Sequence, residues 1–312
     1  MKQMKKFILK AFLFILPFLF LSVFLEVKLK EVINSYNYKK KNFEKILSKC
    51  EVLILGNSIS YCGIDPDILT YSAFNLANNS QDIYYDQMLY SKYMDRLPKL
   101  KYVIVPVAFT SLFYLLDQGI ESWRASYYLR FFDIRKRQSR FDFKDISLIA
   151  LYGINFSIHY LFNADATNQV LGISSKGWMN SPADFTFNES VMAVEGKRKY
   201  QEDVLYMDLN KINENLLYLQ MIIEQSRKKN VITVLISFPM SRFYAGNLHE
   251  KKYYSLMQDK VIALSRNYGI KYYNYIYDKR FVDNDFSDVI HLNSMGAKKM
   301  SLILNRELMA SK

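Results

Sequence analysis

Apolar residues recur along this chain in two rhythms. Short runs at Val52–Leu55, Ala73–Ala77, Tyr102–Pro106, Val231–Phe238 and Lys271–Tyr275 are rich in β-branched and aromatic residues, and each is too short for an ordinary helix. Runs that are continuously apolar, rather than alternating, belong to strands buried on both faces. The longer stretches between them have helical spacing. Leu209, Ile212, Leu216, Leu219 and Ile223 repeat at intervals of 3, 4, 3 and 4 residues, which puts one apolar stripe against a sheet. Strand and helix in alternation predict a parallel sheet with helices on both faces. Beyond the last strand, Asn293 or Ser294 is positioned to cap a final helix whose Met300, Ile303, Leu304 and Leu308 point inward.

Two stretches depart from the alternation. Residues from about Leu112 to Val204 are too long for a simple crossover and are expected to form a helical insertion. It opens on a basic stretch, where Arg124, Arg130, Arg135, Lys136, Arg137, Arg140 and Lys144 outnumber Asp133 and Asp142, and continues in an apolar run from Ile146 to Phe162. Two roles fit it: a helical hairpin with a solvated face, as charge runs ordinarily are, or a lid that grips a substrate or partner. At the other end, Phe7 to Val27 is apolar apart from Lys10, Ser22 and Glu26, long enough to span a bilayer. Leu21 to Glu26 makes a poor cleavage site, so a retained anchor is expected. The expected organisation is an anchor at residues 1–30, a basic juxtamembrane linker at 31–50, and an α/β domain at 51–312 carrying the insertion.

Composition sharpens this. With 312 residues, 50% of them hydrophobic and 16% aromatic, the chain can bury one large core. The formal charge of +12 suggests nucleic acid until it is located: residues 1–50 hold 11 Lys and 3 Glu, a net of +8, which leaves +4 for the other 262. Lysines flanking an anchor meet anionic head groups, so no nucleic-acid partner is expected. Both flanks of the apolar run are basic, so charge alone does not orient it. Cys50 and Cys62 lie on either side of the first strand, whose ~5 residues at ~3.3 Å each exceed the roughly 7 Å that a disulfide bridges. Both are expected to be buried and apolar. Neither has a His at metal-ligand spacing, and Asp65, Asp67 and Asp82 suit caps and turns, so no metal and no cofactor are expected. Tyr84-Tyr85 and Tyr272-Tyr273 are read as packing, with stacking on sugar rings as the alternative.

The chemistry sits at the first strand's end. Gly56-Asn57-Ser58 follows Val52–Leu55, so a glycine-permitted turn would project the Ser58 hydroxyl beyond the sheet's carboxyl edge. A serine hydroxyl needs a base, and the base works best when a carboxylate orients it. Of the three histidines, His291 has such a carboxylate, Asp288, three residues before it. His159 reads as a satisfied core or interface histidine, and His249 as an exposed helix-start residue.

These blocks resemble the SGNH hydrolases, also called the GDSL family, and in particular their membrane-anchored members that acylate envelope polysaccharides. Ile54-Leu55-Gly56-Asn57-Ser58 is similar to the nucleophile block, with Asn for the usual Asp, and Asp288 to Gly296 is similar to the final Asp-x-x-His block. The resemblance runs from about Glu51 to the C-terminus and implies a doubly wound parallel sheet, a flavodoxin-like three-layer α/β/α fold. It implies Ser58 as nucleophile, His291 as base and Asp288 as orienter. It implies a Ser58 N–H in the oxyanion hole beside a second-block glycine and a third-block asparagine. The chain departs there: Phe74 to Gln81 has no glycine, and Val107-Ala108-Phe109-Thr110-Ser111 stands where Gly-x-Asn-Asp is usual. Asn78 and Asn79 are the candidate substitutes. The activity implied is a serine esterase or O-acyltransferase moving a small acyl group, acetyl foremost, on a cell-surface glycan. Transfer would require an acyl-donating membrane partner, and the catalytic domain would face away from the cytoplasm across the inner membrane. The rivals are an inactive SGNH-like domain that binds glycan or scaffolds an assembly, favoured by the missing glycine and asparagine, and a cytoplasm-facing lipid esterase.

Overall fold

The computed structural model describes residues 2–137, 141–163, 172–181, 188–248 and 252–310. Helix α1 (Lys2–Leu29) leads to α2 (Ser35–Ile46), after which strands and helices alternate: β1 (Val52–Ile54), α3 (Ser58–Gly63), β2 (Ala73–Asn75), α4 (Ile83–Tyr93) and β3 (Tyr102–Pro106). The insertion contributes α5 (Ala125–Phe132), α6 (Leu148–Tyr152), α7 (Ile154–Phe162) and α8 (Glu189–Leu205). Then come α9 (Ile212–Lys228), β4 (Ile232–Ser237), α10 (Arg242–Ala245), α11 (Lys252–Tyr268), β5 (Lys271–Asn274) and α12 (Ser294–Met309).

The five strands are parallel, in the order β2-β1-β3-β4-β5. Every residue of β1, β2 and β3 is buried, as their unbroken apolar character requires. From β1 the chain steps outward to β2 and then returns across β1 to β3. Right-handed crossovers therefore put α3 and α4 on opposite faces, and α12 packs on α3 while α9 packs on α4. The reversal leaves a crevice at the carboxyl ends of β1 and β3, the place where such sheets bind ligands.

The strand bounds fall within two residues of the apolar runs. The helix predicted from Leu209 begins at Ile212, and Leu209 itself is exposed, whereas Leu219, Ile222 and Ile223 are buried. Asn293 caps α12, whose Met300, Ile303, Leu304 and Leu308 are buried as expected. Both cysteines are buried and free. Tyr85 packs on Tyr128 with ring centroids 4.1 Å apart, and the Tyr272 hydroxyl meets that of Ser237.

Residues 31–50 are not a linker. They form α2, capped by a reciprocal pair in which Asn34 accepts from the Tyr36 and Asn37 N–H groups and Asn37 accepts from the Asn34 N–H. Phe43 is fully buried between Phe74 and Tyr93, at ring distances of 4.8 and 5.0 Å. Lys39 is buried too: its amine lies 3.5 Å over the Tyr61 ring and donates to the Ala77 carbonyl, and burial holds its pKa well below the usual lysine range. The α/β domain therefore begins in α2 rather than at Glu51.

Helix α1 is long and apolar enough, from Gln3 to Leu29, to cross a membrane. Apart from half-buried Leu16, its large side chains from Phe7 to Phe24 are exposed, whereas Leu25 and Leu29 are buried against the domain, where α1 packs on α6 and α7. Glu26, the acid in the apolar run, accepts from the N–H groups of Leu148 at 2.9 Å and Ile149 at 3.2 Å, capping α6.

Among the described residues the stretch between β3 and α9 is mainly helical, with one isolated bridge between Ile173 and Met179. Several of its basic residues are paired within the protein. Arg137 pairs with Asp82 at 2.7 Å and Glu214 at 3.3 Å, Lys136 with Asp145 at 2.5 Å, and Arg124 with Glu121 at 3.0 Å. Arg140 and His249 lie outside the described residues. His159 is exposed on α7 rather than in the core.

Candidate active site

Ser58 opens α3 immediately beyond β1. The turn before it depends on glycine: Gly56 has φ +112°, and a Cβ there would fall 1.9 Å from Pro106 Cγ at the end of β3. The Gly56 N–H donates to Asp86 Oδ1 at 2.7 Å, an oxygen that also accepts from Gln81 Nε2 at 2.5 Å. Asp86 is wholly buried on α4, and burial pushes its carboxyl up to about 8, so it holds its proton at neutral pH. Asn57 caps α3 by accepting from the Ile59 N–H at 3.1 Å. As the first residue of a helix, Ser58 keeps an N–H with no intrahelical acceptor.

His291 comes from the loop before α12. The loop is pinned from below: Asn293 Nδ2 donates to the carbonyls of Asn284 and Phe286, while its oxygen caps Met295 and Gly296. A Cβ on Gly296 would lie 2.1 Å from the Asp285 carbonyl, so the helix start presses directly on the loop. This anchorage sets the imidazole between two partners. His291 Nε2 lies 2.7 Å from Ser58 Oγ, and Nδ1 lies 2.7 Å from Asp288 Oδ2. The other oxygen of Asp288 accepts the N–H groups of Ile290 and His291, both at 2.8 Å. Burial alone would raise the Asp288 carboxyl. The hydrogen bond and charge of His291 and the two backbone donors outweigh it, so the group lies below the usual carboxylate range.

A cavity of about 360 Å³ opens beside Ser58. Its near wall is Ser58, Ile59 and the Ala108–Ser111 loop after β3; its far wall comes from the insertion and α10, where Lys199 pairs with Asp203 at 2.7 Å and the Tyr244 hydroxyl donates to Asp203 at 2.6 Å. Glu121 closes one side, accepting from the Ser80 hydroxyl and from Arg124.

The structure does not bring Asn78 and Asn79 to this cavity. Asn78 is buried beneath α2, its side-chain oxygen taken by the Ser35 hydroxyl and the Asn79 N–H, each at 3.1 Å. The Asn78 N–H is spent on the Gly56 carbonyl at 3.0 Å, and the burial of its side chain depends on α2, which the sequence does not reveal as a helix. Hydroxyl residues that line the cavity include Ser58, Thr110 and Ser111, whereas the Ser80 hydroxyl is spent on Glu121. Thr110 stands in the segment after β3 where the SGNH pattern has its third block; its hydroxyl was the available signal. Asp86, which fixes Gly56, carries no signal in the sequence, because its partner lies 30 residues earlier. No group of three or more metal-ligating side chains is found among the described residues.

No protein-family model matches the chain, and no curated protein matches it. Solved structures do. The chain is similar to a GDSL-like lipase from Bacteroides thetaiotaomicron at 11% identity and a TM-score of 0.43, covering 89% of this chain and 100% of that one. It is also similar to a structure assigned as an acylhydrolase from Bacteroides fragilis at 10% identity and a TM-score of 0.41, covering 88% and 96%. Likenesses this distant leave the chemistry to be read from the residues themselves.

Proposed function

We propose that the protein is an SGNH-type serine esterase or O-acyltransferase, held at the membrane by α1, that moves a small acyl group on a cell-surface polysaccharide through Ser58. The observation that carries this reading is the continuous hydrogen-bonded line from Ser58 Oγ through His291 to Asp288, with both bonds at 2.7 Å. Within hydrogen-bond reach of a base, a serine hydroxyl is a competent nucleophile.

The steps balance as follows. Ser58 Oγ attacks the ester carbonyl as its proton passes to His291 Nε2; Asp288, kept ionised, holds the imidazole in place and stabilises the imidazolium. The oxyanion is met by the Ser58 N–H and cavity hydroxyls, Thr110 among them. Collapse expels the alcohol, which takes the proton from His291 and leaves an acyl-Ser58. Water or a sugar hydroxyl then attacks, giving its proton to His291, and Ser58 is regenerated. Acetyl is the acyl group the family resemblance favours, and a membrane partner would supply it for transfer. The same resemblance favours a single-pass inner-membrane protein whose catalytic domain faces away from the cytoplasm.

The test is labelling of the full chain in detergent with a fluorophosphonate probe, beside Ser58→Ala and His291→Ala variants. Labelling lost in both supports the proposal. A folded wild-type chain that stays unlabelled overturns it in favour of a glycan-binding scaffold.

A further inference from the structure

Helix α7 presents three kinds of surface. Phe156, Ser157 and Tyr160 face the domain, Asn155 and His159 are exposed and polar, and Ile154, Ile158 and Phe162 form an exposed stripe at i, i+4 and i+8. The exposures are 54%, 46% and 79%, far above what a helix packed on a soluble domain leaves on three successive turns. The stripe is not isolated. Phe141, Phe143 and Ile146, just ahead of α6, are exposed to 70%, 66% and 61%.

What lies beside these groups identifies the occupant. α1 packs on both α6 and α7, and its Glu26 carboxylate caps α6. Tyr160 of α7 lies within electrostatic reach of Glu31 and Lys28, at the level where the apolar helix ends and charge begins. The exposed apolar surface of α1, Phe7 to Phe24, therefore ends close to α7, whose Tyr160 lies by Lys28 at the end of the apolar helix.

We propose that α7 and the Phe141–Ile146 segment lie in the head-group and acyl boundary of the bilayer that α1 crosses. Ile154, Ile158 and Phe162 are immersed, Asn155 and His159 face the head groups, and the insertion is a membrane-docking element. An amphipathic helix lying in the interface plane buries its apolar face in this way. The inference rests on the anchoring half of the proposed function and is independent of the chemistry at Ser58.

The experiment places a nitroxide on the full chain, reconstituted in phosphatidylcholine–phosphatidylglycerol vesicles, at Ile158→Cys, Phe162→Cys, Phe14→Cys and Leu205→Cys in turn. Cys50 and Cys62 are buried and stay unlabelled. Leu205 is 75% exposed, next to Tyr206 of the cavity wall. Collisional relaxation by oxygen and by a water-soluble nickel chelate is then compared. The expected result is a shift toward oxygen at 158 and 162, and toward the chelate at 205. Chelate-dominated relaxation at 158 and 162 overturns the proposal. Position 14 separates the causes: oxygen-dominated there, only the docking fails; chelate-dominated there, the anchor fails with it.

Discussion

Asp86→Asn tests whether the turn before Ser58 rests on a protonated acid. Asp86 is fully buried and accepts the Gly56 N–H, and burial raises its carboxyl from an ordinary value of 3.8 to about 8. A folded-state pKa above the unfolded one gives stability that is complete below the unfolded value and lost as pH rises toward the folded one. Each pH unit between the two costs about 1.4 kcal/mol, so the whole window from pH 4 to 8 amounts to on the order of 5 kcal/mol. Asparagine keeps a carbonyl oxygen for Gly56 and Gln81 but has no proton to lose. The variant and the wild type should be close in stability at pH 4, and the variant should gain steadily, by several kcal/mol, up to pH 8. Urea denaturation of the full chain in detergent micelles, repeated across that range, measures the difference directly. A stability difference that stays flat from pH 4 to 8 would refute the reasoning, because it would mean that Asp86 is already ionised when folded.

Further outcomes are expected at the site and the anchor. Asp288→Asn should leave the fold intact and slow fluorophosphonate labelling by ~10²–10⁴, the range seen when a histidine loses its orienting charge or an oxyanion its donor; labelling at the wild-type rate would exclude Asp288 as orienter. Because Asp288 lies below the usual carboxylate range, what it contributes to stability is present at neutral pH and is lost only as pH falls through that lowered value. Gly56→Ala adds positive-φ strain of about 1–2 kcal/mol to overpacking of about 1–3 kcal/mol against Pro106, so thermal unfolding should occur several degrees lower with labelling lost; an unshifted transition would contradict the turn geometry. Glu26→Ala leaves the Ser147 cap of α6 in place but removes the acceptor of the Leu148 and Ile149 N–H groups, an effect of about 0.5–2 kcal/mol, and should speed hydrogen exchange at both; unchanged exchange there would show that α6 does not depend on α1.

The parts of this molecule governed by local pattern were readable from the chain. The strands announced themselves because a parallel sheet buries both faces, and the Asp288–His291 spacing lies within one loop, where three residues suffice to set a carboxylate against an imidazole. What escaped is what depends on a distant partner. α2 reads as a basic linker because Lys39, between the buried Tyr36 and Phe43, occupies an inward position that an apolar residue would normally mark. Asn78 looks free to serve as a donor from the sequence, but its backbone N–H goes to the Gly56 carbonyl at 3.0 Å and its side chain is buried beneath α2, away from the cavity. His159 reads as a core or interface histidine, and of these the core is excluded, because the apolar residues around it divide between two faces of α7 and leave it exposed.

The short connection between α1 and α2 has a mechanical consequence. The segment Lys30–Asn34 spans at most roughly 17 Å when extended, both of its ends are tied into capped or packed helices, and Glu26 fastens α1 to the insertion besides. With α1 in a bilayer, the body has no tether on which to swing and works as a rigid bracket, its cavity held at one height and one azimuth. Under the proposed function, encounters would then reduce to two dimensions: a donor diffusing laterally in the same membrane would meet Ser58 at a fixed reach, whereas a donor in bulk solution would gain nothing from the mounting.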